Sequence, residues 1–156
     1  MAKVEVSALK LTPAQRSLAE TKCKEAGLRL TPARLGAYAE LVGSKMPLSA
    51  YDLIARLEKA QKRKIAPLTV YRHLDFLIKA GLVHRIESKQ AYLACEHPEQ
   101  AHESQYLLCS ACGRADELKS KQLWSVLEKL MHEQGFERVN SVVEVTGLCS
   151  RCRSTA

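Results

Sequence analysis

Cys109-Ser110-Ala111-Cys112 and Cys149-Ser150-Arg151-Cys152 put four of the six cysteines into two tight pairs. Two residues between thiolates let a short turn aim both sulfurs at one ion, and two such turns supply the four ligands of a tetrahedral zinc site. A sphere closed in this way is structural, because no position stays open for a substrate water. The alternatives are a redox dithiol or a pair of disulfides. Paired CxxC motifs favour zinc in a chain whose first residues, Met1-Ala2-Lys3-Val4-Glu5-Val6, lack an apolar run of signal-peptide length. The 36 residues between Cys112 and Cys149 exceed the about 15 to 20 of a zinc ribbon. A helix and a strand must therefore return the second pair to the first.

Charge separates the chain into unlike halves. Residues 1 to 90 hold 17 Lys/Arg against 8 Asp/Glu, and residues 91 to 156 hold 7 against 9, within a total of +7. A basic N-terminal region beside a cysteine-rich, mildly acidic one suggests a nucleic-acid module joined to a metal module. At 156 residues there is room for one domain or two small ones, with help expected from metal or dimerisation. No stretch approaches the length of a membrane span, so the expectation is a cytoplasmic protein with no membrane partner.

Thr12-Pro13 and Thr31-Pro32 pair an N-cap hydroxyl with a proline at the first helical position, and Ser49-Ala50-Tyr51-Asp52 reads as a capping box. Helices are expected over about 13–26, 32–43 and 50–60, with Gly27 and Gly43 at left-handed C-terminal positions. A fourth helix should run from Pro67 to Gly81, with Val70, Leu74, Leu77 and Ile78 facing the core and Thr69, Arg72, Asp75, Phe76 and Lys79 facing outward. That outward side is either a solvated face or a binding surface. Residues 82–87 and 91–95, joined by Ser88-Lys89-Gln90, form a β-hairpin. Helices followed by a basic helix and a hairpin describe a winged helix-turn-helix, with Lys59, Lys62, Arg63 and Lys64 in reach of phosphates.

Polar residues 95–104 are expected to link the two domains, 1–94 and 105–156. In the second, strands at Gln105–Leu108 and Ala115–Leu118 flank the first CxxC. Ser120 then caps a helix carrying Leu123, Leu127, Leu130 and Met131 on one face, and a strand over Val139–Val145 enters the second CxxC. The fold class is thus α+β: an N-terminal winged helix-turn-helix and a small C-terminal αβ domain with a zinc site built from four cysteines. So small a unit with Val-rich strands is expected to pair with a copy of itself.

Two cysteines remain. Cys23, in mid-helix without ligand company, reads as a small, partly buried residue. Cys95 ends the wing eleven residues after His84 and seven before His102, with Glu117 beyond the first CxxC. Two imidazoles, a thiolate and a carboxylate suit a borderline-soft ion. Scattered residues of these types more often serve cores or surfaces, and His97 is a rival ligand.

Ala66-Pro67-Leu68-Thr69-Val70-Tyr71-Arg72-His73-Leu74, Gly81-Leu82-Val83-His84-Arg85-Ile86-Glu87 and the two CxxC motifs resemble the bacterial ferric uptake regulator family, over about residues 12–152. Ser49-Ala50-Tyr51-Asp52-Leu53, Cys95, His102 and Gly147-Leu148-Cys149 are most similar to its zinc uptake branch. The resemblance implies a homodimeric, metal-dependent repressor that binds double-stranded operator DNA, as one dimer or two. It implies about two zinc ions per chain: a structural one on Cys109, Cys112, Cys149 and Cys152, and a sensory one on His84, Cys95, His102 and Glu117. Base reading would fall on Tyr51 and Arg72 and phosphate contact on Tyr71, with Thr69, Lys62 and Lys64 completing the interface. Iron, manganese and peroxide-sensing relatives carry a His-His-Asp-His run where this chain has His102-Glu103-Ser104-Gln105, and the Cys95 thiolate favours zinc. No catalytic residues and no small organic substrate are expected. A zinc-dependent hydrolase or deaminase, with Glu117 as base, would need an HxE or HExxH signature that the chain lacks.

Overall fold

The computed structural model describes residues 11–44, 46–99, 103–138 and 141–154, in two compact units spanning 1–100 and 101–156. In the first unit each early helix starts where its cap chemistry says it should. Helix α1 (Pro13–Glu25) has Thr12 and Gln15 in a reciprocal capping box, at 3.2 and 2.9 Å. In α2 (Pro32–Val42) the Thr31 hydroxyl accepts from Arg34 N. Strand β1 (Leu48–Ser49) leads into α3 (Ala50–Gln61), where Ser49 Oγ accepts from Asp52 N at 3.1 Å and the Asp52 carboxylate accepts from Ser49 N at 3.1 Å. Helix α4 (Pro67–Lys79) differs, because its N-cap is Ala66 and no side chain caps it.

Strands β2 (Val83–Ile86) and β3 (Ala91–Ala94) form the expected hairpin, with a 3-10 turn over Glu87–Lys89 and a left-handed Gln90 between them. The two residues of β1 add a third antiparallel strand, in the order β1-β3-β2. Leu41, Leu53, Leu57, Val70, Leu74 and Leu77 are buried in one core shared by α2, α3 and α4. Leu82 and Val83, where the chain turns from α4 into the wing, join the same core. Cys23 is buried there too, as expected of a small apolar residue, and burial raises its thiol pKa.

Three details differ from expectation. Phe76 lies inside, 7% exposed, with the Arg34 guanidinium 3.9 Å above its ring. Arg34 is held there by donating to the Arg29 carbonyl at 2.7 Å, so a cation–π contact closes this edge of the core. Ile78, expected inside, is 37% exposed, while Val70, Leu74 and Leu77 are buried as expected and Phe76 joins them. Gly43 is right-handed, at φ −70°, whereas Gly27 sits at φ +66° in the left-handed region that favours glycine.

The second unit is a three-stranded sheet, order β5-β4-β6, formed by β4 (Ser104–Cys109), β5 (Ala115–Glu117) and β6 (Val142–Gly147). β5 pairs antiparallel with β4, and β6 runs parallel to it, with Leu107 opposite Val145 and Cys109 opposite Gly147. A parallel neighbour needs a crossover. Helix α5 (Lys121–Glu133) supplies it, with the Ser120 hydroxyl accepting from Leu123 N at 3.2 Å. Its most buried side chain is Trp124; of the expected stripe, Leu123, Leu127 and Met131 are half-buried and Leu130 is 52% exposed. The β6 strand extends to Gly147 and is followed by a short helix α6 (Ser150–Arg153); of its expected span, residues 139 and 140 lie outside the described residues.

Ser49→Ala should lower the stability of the first unit by about 1 kcal/mol, read by urea denaturation, through loss of the α3 cap. The hydrogen bonds from Ser49 lower the Asp52 pKa. Because the folded value is depressed, this stabilisation is fully present above the ordinary aspartate value near about 3.9 and fades as pH falls through the folded value. The wild-type advantage over Ser49→Ala should accordingly shrink in acid.

Candidate metal centres and nucleic-acid interface

Strand β4 ends on Cys109, and β6 ends two residues before Cys149, so parallel pairing of these strands delivers both CxxC turns to the same end of one sheet. One ligand atom from each of Cys109, Cys112, Cys149 and Cys152 lies within 4.8 Å of every other. Zn–S bonds of about 2.3 Å in a tetrahedron put sulfurs about 3.8 Å apart. Cys112 Sγ and Cys149 Sγ are 3.9 Å apart, nearly twice the bonded S–S distance of about 2.05 Å. None of the four is joined in a disulfide, and the geometry fits zinc.

Backbone amides are already turned to the sulfurs. The Cys149 N–H faces Cys109 Sγ at 3.4 Å, and with the amides of Cys112 and Ala111 it draws the Cys109 thiol down to about 6. The Arg114 amide lowers Cys112 in the same way. Cys152 is pushed up to about 12 by its Cys149 and Cys112 neighbours. A cation at the centre reverses this proton sharing, since it holds every coordinating sulfur as thiolate. Four thiolates around Zn2+ would leave a net −2, which the Arg151 guanidinium, its pKa raised by its hydrogen bond to Cys112, would partly offset.

A second ligand group begins in the wing. His84 stands on β2 opposite Leu93, and Cys95, buried, is tied back by its N–H to Leu82 O at 2.9 Å. Their ligand atoms approach within 4.8 Å. The rival His97 has Nδ1 3.5 Å from Glu99. Glu117 is the last residue of β5, half-buried in the second unit. His102 lies outside the described residues.

The remaining candidates share the surface of the first unit. Tyr51, at the start of α3, is 73% exposed. Thr69, Tyr71 and Arg72 are exposed along α4. Lys62 ends α3 in a left-handed conformation, and Lys64 pairs with Glu58 at 3.2 Å while staying open to solvent. Glu58 also accepts from Ile65 N at 2.9 Å, which fixes the turn between the two helices. Arg114 and Arg151 around the thiols, and Leu68 on α4, escaped the sequence reading. The arginines lie inside or beside the CxxC motifs, but only the fold shows which way they point.

A winged helix-turn-helix followed by a sheet whose ends gather four thiols defines a metal-dependent regulator class. The chain belongs to the ferric uptake regulator family, whose model matches residues 25–146. Within it the similarity falls on zinc uptake regulators. The zinc uptake regulation protein of Escherichia coli K12 is 36% identical over 135 residues, covering 86% of this chain and 78% of that protein. A zinc uptake regulator complexed with zinc and DNA superposes with a TM-score of 0.83 at 34% identity, over 93% of this chain and 98% of the other. Holo XcZur gives 0.79 at 38% identity, over 89% and 96%.

Cys112→Ser should lose the zinc held by the four sulfurs and broaden or abolish the thermal transition of the second unit, measured by metal analysis and calorimetry. Retained zinc with an unchanged melt would show that the four sulfurs do not act as a structural site.

Proposed function

We propose that this chain is a zinc-responsive repressor of zinc uptake and homeostasis genes, a cytoplasmic DNA-binding protein that meets a palindromic operator as a zinc-loaded homodimer. The observation that carries this reading is the thiol of Cys95, set beside His84 at the end of the wing. A soft sulfur donor in a family of metal-dependent regulators selects zinc over iron(II) or manganese. The similarity to a regulator complexed with zinc and DNA supports the same reading.

Two zinc ions per chain are assigned. Cys109, Cys112, Cys149 and Cys152 hold the structural one. His84, Cys95, His102 and Glu117 hold the sensory one, with residues 95–104 as the hinge between a DNA-binding domain, 1–94, and a dimerisation domain, 105–156. Bound there, zinc supplies a crosslink that favours one arrangement of the two domains. His84 and Cys95 bind as neutral imidazole and thiolate, so loading releases protons and weakens as pH falls. Operator binding and sensory zinc binding are reciprocally coupled.

For the dimer, Val126, Leu130 and Phe136 around α5 are more than half exposed, as is Val145 on β6. A unit so small that leaves this much apolar surface open supports pairing with a second copy. Two recognition helices of such a dimer would enter major grooves about 34 Å apart. Arg72 grips guanine O6 and N7, Tyr51 reads a neighbouring base, and Tyr71, Thr69, Lys62 and Lys64 hold phosphates. One or two dimers per operator fit this geometry.

Cys95→Ser should remove zinc-dependent operator binding in a fluorescence titration while leaving a folded dimer by ultracentrifugation. Operator affinity that stays constant when only the labile zinc is stripped would overturn the sensor assignment. Arg72→Ala should cost about 1 to 3 kcal/mol on the operator and relax preference at one base pair. A uniform loss on all sequences would make Arg72 a phosphate contact instead.

A further inference from the structure

Leu68 is the second residue of α4 and is 60% exposed, although it is fully apolar and the core of its own helix begins two residues later at Val70. One exposed leucine is ordinary on a protein surface. Its position gives it another meaning. Tyr71 and Arg72 lie three and four residues further along α4, so they are its neighbours on the same side of the helix, and both are exposed. Thr69 beside it is exposed as well. Leu68 thus stands at the N-terminal end of the helix, where a recognition helix meets base edges.

We infer that Leu68 is a specificity residue that reads the 5-methyl group of a thymine within about two base pairs of the guanine gripped by Arg72. The inference rests on the DNA-binding reading proposed above. The leucine side chain has no donor or acceptor and can hold neither a phosphate nor a base edge through hydrogen bonds. In the major groove the apolar group that a base presents is the thymine methyl. Side chains four residues apart on a helix are separated by about 5 to 6 Å, and stacked base pairs by about 3.4 Å. The arginine and the leucine therefore fall on base pairs one or two steps apart. Ile78, also partly exposed on α4, lies at the opposite end of the helix, away from the residues that enter the groove first.

The test uses the full-length zinc-loaded protein. Random-site selection defines the operator, and each thymine in it is then replaced singly by deoxyuridine, which removes only the methyl. At one thymine within two base pairs of the Arg72-dependent guanine, the wild-type protein should bind about threefold to fivefold more weakly after replacement. Leu68→Ala should bind the two forms equally, with its guanine preference, zinc content and melting temperature unchanged, and Leu68→Met should restore most of the discrimination. If Leu68→Ala still discriminates, or the wild type never does while its guanine preference persists, the assignment of Leu68 is wrong and the DNA reading stands. If selection enriches no sequence at all, both fall.

Discussion

Four sulfurs brought within reach of one ion impose most of what is distinctive in the second unit. They come from two turns about 40 residues apart in the chain, and β4 and β6 must lie side by side in parallel for those turns to share an end. Parallel pairing in turn forces the chain to cross back, which α5 does, and the crossover leaves the apolar residues of α5 incompletely covered. Among the described residues, this sheet and α5 bury little, with Tyr106, Leu108, Ala115 and Trp124 as their main buried side chains. Holding such a unit without a metal would leave the loop-closure entropy of the long excursion uncompensated.

The first unit meets the opposite requirement, a helix that must serve as core and as surface along its whole length. Val70, Leu74 and Leu77 anchor α4 against α2 and α3, while Thr69, Tyr71 and Arg72 stay open. The anchoring is what gives those polar groups a fixed direction. The Glu58 carboxylate, accepting from both Ile65 N and Lys64 Nζ, sets the turn that delivers α4 at its angle. A rigid backbone beneath an open surface is how such helices present side chains for recognition.

Much of this was legible because the signals are local. Thr12-Pro13, Thr31-Pro32 and Ser49-Asp52 mark helix starts through hydrogen bonds made within four residues, and the observed helices begin there. CxxC spacing is equally local, so the thiol pairs could be read directly. What escaped depends on distant partners. Phe76 could not be placed inside without knowing that Arg34, from another helix, covers its ring. Leu48 and Ser49 are too few to show a strand pattern, and they become a strand only by meeting Tyr92 and Ala91. Gly43 looked like a left-handed stop, yet the chain leaves α2 without needing one. The register of β6 on β4 is set by tertiary pairing that no short window contains.

The parallel seating of β6 against β4 also fixes an order of events during synthesis. The ribosome adds roughly 5 to 20 residues each second, so Cys109 and Cys112 precede Cys149 and Cys152 by roughly 2 to 8 seconds. In that interval the winged helix, wholly upstream, can complete its core from segments already made. The first CxxC is made without its partners, and the β4 edge that it ends cannot be completed until β6 follows. Closure of the four-thiol cluster is thus a late event, because its second pair is made only after β6, the last strand among the described residues.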